Sequence, residues 1–266
     1  MKYYHVDVFT DHLFGGNPAG VCLLDEWPAD DLLQSIAFEN KVSETAFLVR
    51  HGEQCHLRWF TPLMEVDLCG HATMACASVL FELVETEATV INFETLSGIL
   101  TVARGDDGLL WMDLPTRLGQ PAPHYPSIAT ALGVNILEVL DAPDILVVLD
   151  SEETVKTLTP DLDVLKNLKE EAAKQDDNFG VIATAPGSSC DFVSRFFAPN
   201  MGINEDPATG RAHAVLTPYW SKRLGKTSMV ARQLSKRGGQ LWCKDAKDRV
   251  MIGGRTRLYL SGNLHI

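Results

Sequence analysis

The sequence predicts a mixed α/β protein built from two similar lobes, and three observations lead to that prediction. Short alternating apolar runs typical of strands recur through both halves of the 266 residues. Each half contains one helix rich in small residues, at 70–84 and at 210–224, which is typical of a helix buried inside a fold. A nine-residue segment that begins at Arg58 reappears at Arg195, which indicates an internal duplication.

The first half is predicted to be mostly strand, with two helices. Residues 14–20 are predicted to form a turn because they contain the sequence Gly-Gly-Asn-Pro. Pro28 is expected at the first position of an amphipathic helix that includes Leu33 and Ile36. The buried helix at 70–84 follows later. Strands are predicted at 2–9, 21–24, 44–49, 56–61, 89–93, 98–104 and 109–114.

The second half is predicted to repeat this order after a proline-rich linker at 115–126. The linker gives an N-terminal lobe at 1–118 and a C-terminal lobe at 119–266, whose last few residues are free to return to the first lobe. Pro218 is expected to bend or end the second buried helix. The other predicted elements are strands at 145–149, 180–185 and 190–197, an amphipathic helix at 161–175, and strands in the last 40 residues.

The duplication joins residues 58–66 (RWFTPLMEV) to residues 195–203 (RFFAPNMGI) at a constant offset of 137. Each copy is followed by a glycine-containing turn into a buried helix, CGHAT at 69–73 and DPATG at 206–210. A lobe packed on its copy would bring these two turns together across the interface. Two helix N-termini would then supply amide donors to an anion.

Charge and cysteine content limit the class of partner. Lysine and arginine number 23 against 35 acidic residues, a formal net charge of -12, which argues against nucleic acid and against an anionic membrane surface. A small anionic substrate would need a local positive site. Six cysteines without a CxxC pair, and no apolar leader, predict a soluble cytoplasmic protein.

Six short motifs stand in one order along the chain and together carry a family resemblance. They are HVDVF at 5–9, GNPAG at 16–20, SETAF at 43–47, FTP at 60–62, CGHAT at 69–73 and EDPATG at 205–210. This pattern resembles the PhzF-like isomerases of phenazine biosynthesis, from about residue 2 to about residue 260. The resemblance implies the diaminopimelate epimerase-like fold, with two pseudo-symmetric lobes that each wrap a mixed sheet around a central helix.

The resemblance also implies an activity and a site. It implies a cofactor-free isomerase that moves a proton between carbons of a small carboxylic acid in the cleft between the lobes, and a homodimer. The proton-shuttling glutamate falls on Glu44, the cleft histidine on His71 and the cleft aspartate on Asp206. The substrate-binding positions implied are Asn17, Gly70, Ala72, Gly210, Arg211 and Ala212.

The residues themselves are compatible with this chemistry but leave structural alternatives. A proton shift needs one base that accepts a proton and returns it, and fixed amides with His71 would stabilise the developing enolate. Glu44 could equally be an exposed strand-end carboxylate. His71 could simply cap its helix, and Asp206 before Pro207 is a candidate N-cap.

Two rival functions remain open at this stage. The first is a thiol-based amino-acid racemase or epimerase using Cys69, although the second lobe offers Asp206 and Thr209 in the matching place and no cysteine. A Cys69–His71 nucleophile pair is disfavoured because positions i and i+2 of a helix do not face each other. The second rival is a non-catalytic protein that binds small anions.

Arg211 stands where the family commonly has a small polar residue, and this departure favours the second rival. The arginine either reaches the anion as a bidentate partner or turns away. No metal site is predicted, because His71, Cys76 and His213 do not have a recognised ligand spacing, and no nucleotide-binding motif occurs.

Overall fold

In the computed structural model, the described residues are 1–52, 54–123, 125–174 and 178–266. Position 124 of the predicted linker and position 175 of the predicted helix lie outside them. The chain divides into two units. The first unit comprises Met1–Leu114 and Met251–Ile266, and the second comprises Pro115–Val250. No helix in the described ranges has both the length and the apolar character needed to cross a membrane.

The elements follow one another with short connections. The strands are β1 (Lys2–Val8), β2 (Asn17–Leu24), β3 (Glu44–His51), β4 (Gln54–Phe60), β5 (Glu65–Val66), β6 (Val90–Thr95), β7 (Gly98–Arg104), β8 (Leu110–Pro115), β9 (Gln120–Pro121), β10 (Glu138–Asp141), β11 (Ile145–Val148), β12 (Val181–Pro186), β13 (Phe192–Ala198), β14 (Ile203–Asp206), β15 (Ser228–Gln233), β16 (Gly239–Ala246), β17 (Arg249–Gly254) and β18 (Thr256–Asn263). The helices are α1 (Asp30–Asn40), α2 (Gly70–Leu83), α3 (Pro126–Leu132), α4 (Glu152–Thr157), α5 (Leu162–Lys166), α6 (Leu168–Glu171) and α7 (Gly210–Leu224).

The first unit is a mixed sheet curved around helix α2. Its strands lie in the order β18-β1-β2-β3-β4-β6-β7-β8, with β2–β3 and β4–β6 parallel and the other pairs antiparallel. Helix α2 packs against β1, β2, β3, β7 and β18, and every residue from His71 to Phe81 is buried. The predicted α/β class and the predicted central helix are therefore confirmed.

The second unit repeats this connectivity. Its strands lie in the order β9-β10-β11-β12-β13-β15-β16, with β11–β12 and β13–β15 parallel. In both units the pairs alternate parallel, antiparallel, parallel, antiparallel from β2 or β11 onwards, and a buried helix follows the short strand β5 or β14. This agreement supports the duplication.

An arginine–glutamate pair recurs in the β4–β5 and β13–β14 hairpins. Arg58 donates to both carboxylate oxygens of Glu65 at 2.7 and 2.8 Å, and Arg195 does the same to Glu205 at 2.7 and 2.9 Å. The arginines are separated by 137 residues and the glutamates by 140. The second hairpin turn is therefore three residues longer and contains a 3₁₀ turn, Pro199–Met201.

The constant offset of 137 is consequently wrong beyond the first strand of each hairpin. Val66 pairs with Trp59, and the matching partner of Phe196 is Asp206 rather than Ile203. The residues that begin the two buried helices, Gly70 and Gly210, differ by 140.

Prolines account for two further differences from the sequence-based expectations at the start of the chain. Residues 17–20 extend β2 instead of forming a turn. Pro18 is compatible with the strand. It pairs with Asp7 of β1, and the pairing of β2 with β3 begins only at Ala19, so the missing amide hydrogen of Pro18 removes no hydrogen bond to β3. Helix α1 begins at Asp30 with Ala29 as its N-cap, so Pro28 lies before the helix.

In the second unit, one predicted helix is divided, and the other has the predicted bounds without ending at Pro218. The predicted helix at 161–175 is divided into α5 and α6 at Asn167. Helix α7 continues through Pro218 to Leu224. A helical proline leaves the carbonyl four residues earlier without its usual donor. Here the Arg117 amide donates to the Ala214 carbonyl at 3.1 Å, which replaces that donor.

The strands nearest the two ends of the sequence are neighbours in the first unit. Strand β18 pairs with β1 along its whole length, from Lys2 opposite Asn263 to Val8 opposite Thr256. The Leu264 amide then donates to the Met1 carbonyl at 2.9 Å. Residues 1 and 264 are thus brought within one hydrogen bond of each other.

Candidate active site

Glu44 is the first residue of β3, and its carboxylate is buried at the start of the strand. Parallel pairing places Glu44 opposite Ala19 of β2, and the residue is only 9% exposed. The Asn40 side chain donates to the Thr45 hydroxyl at 3.1 Å, which links the end of α1 to the start of β3. The structural alternative of a solvent-exposed strand-end carboxylate is therefore wrong.

His71 is the second residue of helix α2, and both of its ring nitrogens face polar side chains. Its Nε2 lies 3.2 Å from Oε2 of Glu44, and its Nδ1 lies 3.3 Å from Nδ2 of Asn17. The Ser43 hydroxyl in turn donates to Oδ1 of Asn17 at 3.2 Å. With the amide oriented this way, Nδ1 is an acceptor, and this assigns the ring proton to Nε2, beside the carboxylate.

Gly16 fixes the backbone from which Asn17 reaches His71. Its φ is +59°, in the left-handed region, and a Cβ at this position would collide with the carbonyl oxygen of Val8. Glycine is the residue that adopts this conformation without a steric penalty. Gly16 thus allows the turn that delivers Asn17 to the start of β2.

Cys69 lies beside the same histidine. It is the N-cap of α2, with an extended backbone, and its Sγ is 3.6 Å from Nδ1 of His71. The expectation that positions 69 and 71 do not face each other is wrong, because Cys69 precedes the first helical residue and is not on the helix. Donor atoms of Glu44, Cys69 and His71 all lie within 4.8 Å of one another.

In the second unit, Asp206 ends strand β14 and belongs to a buried polar cluster. The Thr209 hydroxyl donates to Oδ2 of Asp206. Gln233 donates to the Asp206 carbonyl at 2.7 Å and accepts from the Thr209 amide at 2.8 Å. The N-cap of helix α7 is Thr209, so the alternative that Asp206 is the N-cap residue is wrong. Gln233 had no signal in the sequence, since it lies 27 residues from Asp206.

Arg211 is held by partners in its own unit. Its guanidinium donates to both carboxylate oxygens of Asp144 at 2.6 and 3.0 Å and to the Asn178 side chain at 2.9 Å. Asp144 is 1% exposed and also accepts from the Gly180 amide at 2.8 Å. A cation is unfavourable in the first turn of a helix, and the Asp144 carboxylate offsets that charge.

The remaining predicted binding residues lie in the first turns of the two buried helices. Gly70 and Ala72 belong to α2, in the same unit as Glu44, His71 and Asn17. Gly210 and Ala212 belong to α7, in the same unit as Asp206 and Arg211. The first turn of a helix presents amides that have no acceptor within the helix. Each unit therefore combines a helix N-terminus with a buried carboxylate, and in the first unit His71 lies 3.2 Å from that carboxylate.

A second buried histidine lies in the first turn of α7 and contacts Thr209 of the Asp206 cluster. His213 is fully buried, and its Nδ1 lies 2.8 Å from the carbonyl oxygen of Thr209. Burial lowers the pKa of His213 from 6.5 to about 4, because the charged ring would lose its hydration. The ring is therefore neutral at physiological pH and donates from Nδ1.

Comparison with known proteins finds similar sequences and structures that cover the whole chain. The family model for "Phenazine biosynthesis-like protein" (PhzC-PhzF) matches residues 6–262. An uncharacterized isomerase of Pseudomonas aeruginosa is 48% identical over 100% of this chain and 99% of its own length. The human phenazine biosynthesis-like domain-containing protein is 40% identical, over 99% of each chain. A crystal structure of a PhzF family protein from Enterococcus faecalis superposes with a TM-score of 0.94 at 44% identity, over 100% of this chain and 99% of that one.

More distant structures share the fold alone. A predicted epimerase from P. aeruginosa gives a TM-score of 0.77 at 19% identity, over 100% of this chain and 99% of that one. A probable proline racemase from Agrobacterium radiobacter gives 0.65 at 11%, over 100% and 93%. The fold, the buried carboxylate–histidine pair and the isomerase relatives together define an isomerase with the diaminopimelate epimerase-like fold. Within that class, the chain belongs to the PhzF family of phenazine biosynthesis-like proteins.

Proposed function

We propose that the chain catalyses a cofactor-independent proton shift between carbons of a small carboxylic acid, with Glu44 as the single acid and base. The observation that carries the proposal is the contact of 3.2 Å between the buried Glu44 carboxylate and Nε2 of His71. A buried carboxylate beside a neutral donor is suited to accept a proton and to return it.

The proposed reaction has two steps. Glu44 removes a proton from a carbon next to a carbonyl or a conjugated double bond, and the C–H electron pair enters the π-system of the substrate. The protonated Glu44 then returns the proton to a different carbon of that system. Amides at the start of α2, from Gly70 to Ala72, support the negative charge of the intermediate, as oriented donors do in oxyanion holes.

In this proposal His71 interacts with the Glu44 carboxylate and does not act on the substrate carbon. With Asn17 donating to Nδ1, the ring proton is assigned to Nε2, which lies 3.2 Å from Oε2 of Glu44 and places the positive end of the N–H dipole beside the carboxylate. The roles of Asp206, Gly210, Arg211 and Ala212 in substrate binding remain predictions from the resemblance.

Deuterium incorporation from solvent tests the proposal. A panel of small unsaturated and carbonyl-bearing carboxylic acids is incubated with the protein in D₂O, and exchange is followed by NMR. We expect at least one acid to exchange, and Glu44→Gln to slow that exchange by about 10²- to 10⁴-fold.

The matched control is Glu94→Gln. Glu94 also pairs with a histidine, His56, at 3.3 Å, but both side chains are substantially exposed. Full exchange is expected in this variant. Exchange that persists at the wild-type rate in Glu44→Gln would overturn the proposal. Tight binding of an acid without any exchange would instead support the anion-binding alternative.

The position of Cys69 favours one second candidate, a thiol-based racemase or epimerase. Its Sγ lies 3.6 Å from Nδ1 of His71, close enough for the imidazole to take the thiol proton. The equivalent N-cap in the second unit is Thr209, which cannot supply a second thiol. Near-normal exchange in Cys69→Ser would exclude this route, and exchange lost in Cys69→Ser but kept in Glu44→Gln would establish it.

A further inference from the structure

Glu44, Cys69 and His71 bring three different kinds of metal ligand to one buried place. Their carboxylate, thiol and imidazole donor atoms lie within 4.8 Å of one another, and all three residues are buried. They come from two elements, the start of β3 and the N-terminal end of α2. Neither the family resemblance nor the proposed proton shift requires this combination.

Two of the separations are close to those between ligand atoms of a tetrahedral zinc site, but they involve the two different nitrogens of the His71 ring. Zinc bonds of about 2.3 Å to sulfur and about 2.0–2.1 Å to nitrogen or oxygen place sulfur and nitrogen about 3.6 Å apart, and nitrogen and oxygen about 3.3 Å apart. The Cys69 Sγ–His71 Nδ1 distance is 3.6 Å, and the His71 Nε2–Glu44 Oε2 distance is 3.2 Å. One ion binds only one of these nitrogens, and the donor atoms are spread over up to 4.8 Å, so binding requires side-chain rotations that bring them about 1 Å closer.

We propose that Glu44, Cys69 and His71 form a binding site for a borderline divalent cation such as Zn²⁺, and that the bound ion blocks the proton shuttle. A thiolate and a carboxylate neutralise the dication, and the imidazole binds as a neutral ligand. On binding, the Cys69 thiol releases its proton to solvent and no group is oxidised or reduced. Sulfur and imidazole ligands favour Zn²⁺ and Co²⁺ over Mg²⁺ and Ca²⁺. Three protein ligands leave a fourth position for water or a carboxylate.

Cobalt titration of the full-length, tag-free protein tests the site directly, because thiolate coordination gives Co²⁺ an intense charge-transfer absorption in the near ultraviolet. We expect this band to saturate at one equivalent of Co²⁺. Zn²⁺ should displace the cobalt and abolish the band, whereas Mg²⁺ should not. Cys69→Ser should lose the band, and His71→Ala should weaken Co²⁺ binding at least 10-fold.

Two variants of the first unit serve as controls. Cys22→Ser removes another buried thiol, and His56→Ala removes a histidine that pairs with Glu94 at 3.3 Å. Both should keep the band and the affinity. Thermal unfolding of every variant shows that it is folded. A folded wild-type protein without a thiolate band, or a band that survives in Cys69→Ser, overturns the proposal.

The inhibitory part of the proposal rests on the proposed function, and the two fail in different ways. Where an acid exchanges deuterium, Zn²⁺ should stop the exchange in the wild type and a chelator should restore it. Exchange that continues at saturating Zn²⁺ overturns the blocking claim. If no acid exchanges, the proposed function fails while the cobalt spectrum still decides the metal site.

Discussion

The Glu44 carboxylate is the last member of a line of polar contacts that begins at Ser43 and passes through Asn17 and His71. Each contact is 3.2 or 3.3 Å long. The direction of the line depends on Asn17, because its amide both accepts from Ser43 and donates to Nδ1. A neutral amide thus selects the histidine tautomer that carries its proton on Nε2, the ring nitrogen 3.2 Å from the Glu44 carboxylate.

Asn17→Asp tests this dependence. A carboxylate at residue 17 can only accept, so it moves the ring proton to Nδ1 and leaves a lone pair on Nε2 facing Glu44. We expect deuterium exchange to slow by about 10- to 100-fold, less than the loss of the acid–base group itself, because Glu44 is retained. Asn92→Asp, at an exposed amide of β6 bonded to Thr101, should exchange normally. Unchanged exchange in Asn17→Asp would show that the tautomer does not matter.

His213 makes stability depend on pH. Its pKa is about 4 in the folded protein against 6.5 for an ordinary histidine, so between these values the unfolded chain binds a proton that the folded chain does not. The free energy of unfolding therefore has its full value above pH 6.5 and decreases as the pH falls towards 4. At pH 5 it is lower by about 2 kcal/mol.

His213→Asn should remove this part of the pH dependence while its amide keeps a donor for the Thr209 carbonyl. Urea unfolding at pH 7 and pH 5 measures the difference. The variant is expected to lose about 2 kcal/mol less than the wild type between the two. His265→Asn, at an exposed position, should behave like the wild type. Equal losses in all three proteins would contradict the prediction.

Local motifs predicted some site residues and missed their partners. Glu44 and His71 each lie in a short motif that can be read from neighbouring residues. The contacts of Asp144 with Arg211 and of Gln233 with Asp206 join positions 67 and 27 residues apart. No local pattern carries such pairings, because they depend on strand order. The thiol of Cys69 reaches His71 only because the helix begins one residue later than Cys69.

At the scale of elements, each unit uses one arginine to close a hairpin before its buried helix. Both arginines also contact a helix. Arg58 donates to Oδ1 of the exposed Asp30 of α1 at 2.9 Å, whereas Arg195 donates to the carbonyl of Leu158 at 2.6 Å and so joins β13 to the end of α4. Its side chain is 11% exposed, against 23% for Arg58. A planar guanidinium is needed for this set of partners.

Arg195→Lys should therefore destabilise the protein by about 1–3 kcal/mol, the range for losing charge-assisted hydrogen bonds at a mostly buried site. Arg58→Lys should cost less, because Arg58 is more exposed. Arg232→Lys, at an exposed arginine of β15, should change stability by less than about 0.5 kcal/mol. Urea midpoints of the three variants give the ranking, and equal midpoints for Arg195→Lys and Arg232→Lys would refute it.

Element types were easier to predict from the sequence than element ends. The alternating pattern predicted β7 closely, and the small, apolar residues of α2 and α7 predicted the bounds of these two buried helices closely. The start of β2 was missed because it contains a proline whose lost hydrogen bond is unnecessary. The expected end of α7 at Pro218 does not occur, because the hydrogen bond lost there is replaced. Pro18 has no partner in β3, and the Ala214 carbonyl, four residues before Pro218, accepts from the Arg117 amide. Propensity alone does not reveal such compensation.

At the scale of the whole molecule, the second unit is one continuous segment, and the first is completed by Met251–Ile266. The duplication was visible in the sequence through Arg58 and Arg195, but the three added residues in the second hairpin were not. An insertion of three residues leaves the motifs recognisable but changes the offset between later equivalent residues from 137 to 140.

Rearranged chains test this organisation. A fragment of residues 115–250 should fold cooperatively, whereas residues 1–114 alone should lack a cooperative transition. Placing residues 251–266 before residue 1 through a short glycine-rich linker should restore folding of the first unit, because Leu264 already bonds Met1. Circular dichroism during thermal unfolding distinguishes the three. Cooperative unfolding of residues 1–114 alone would contradict the prediction.

The pairing of β1 with β18 also has a consequence for the chain while it is being synthesised. About 250 residues separate the two strands, and a ribosome adds about 5–20 residues per second. One edge of β1 therefore remains without its partner strand for about ten to fifty seconds during synthesis. An open strand edge is a template for wrong partners, so nascent chains of this protein are most vulnerable to aggregation until Thr256–Asn263 has emerged.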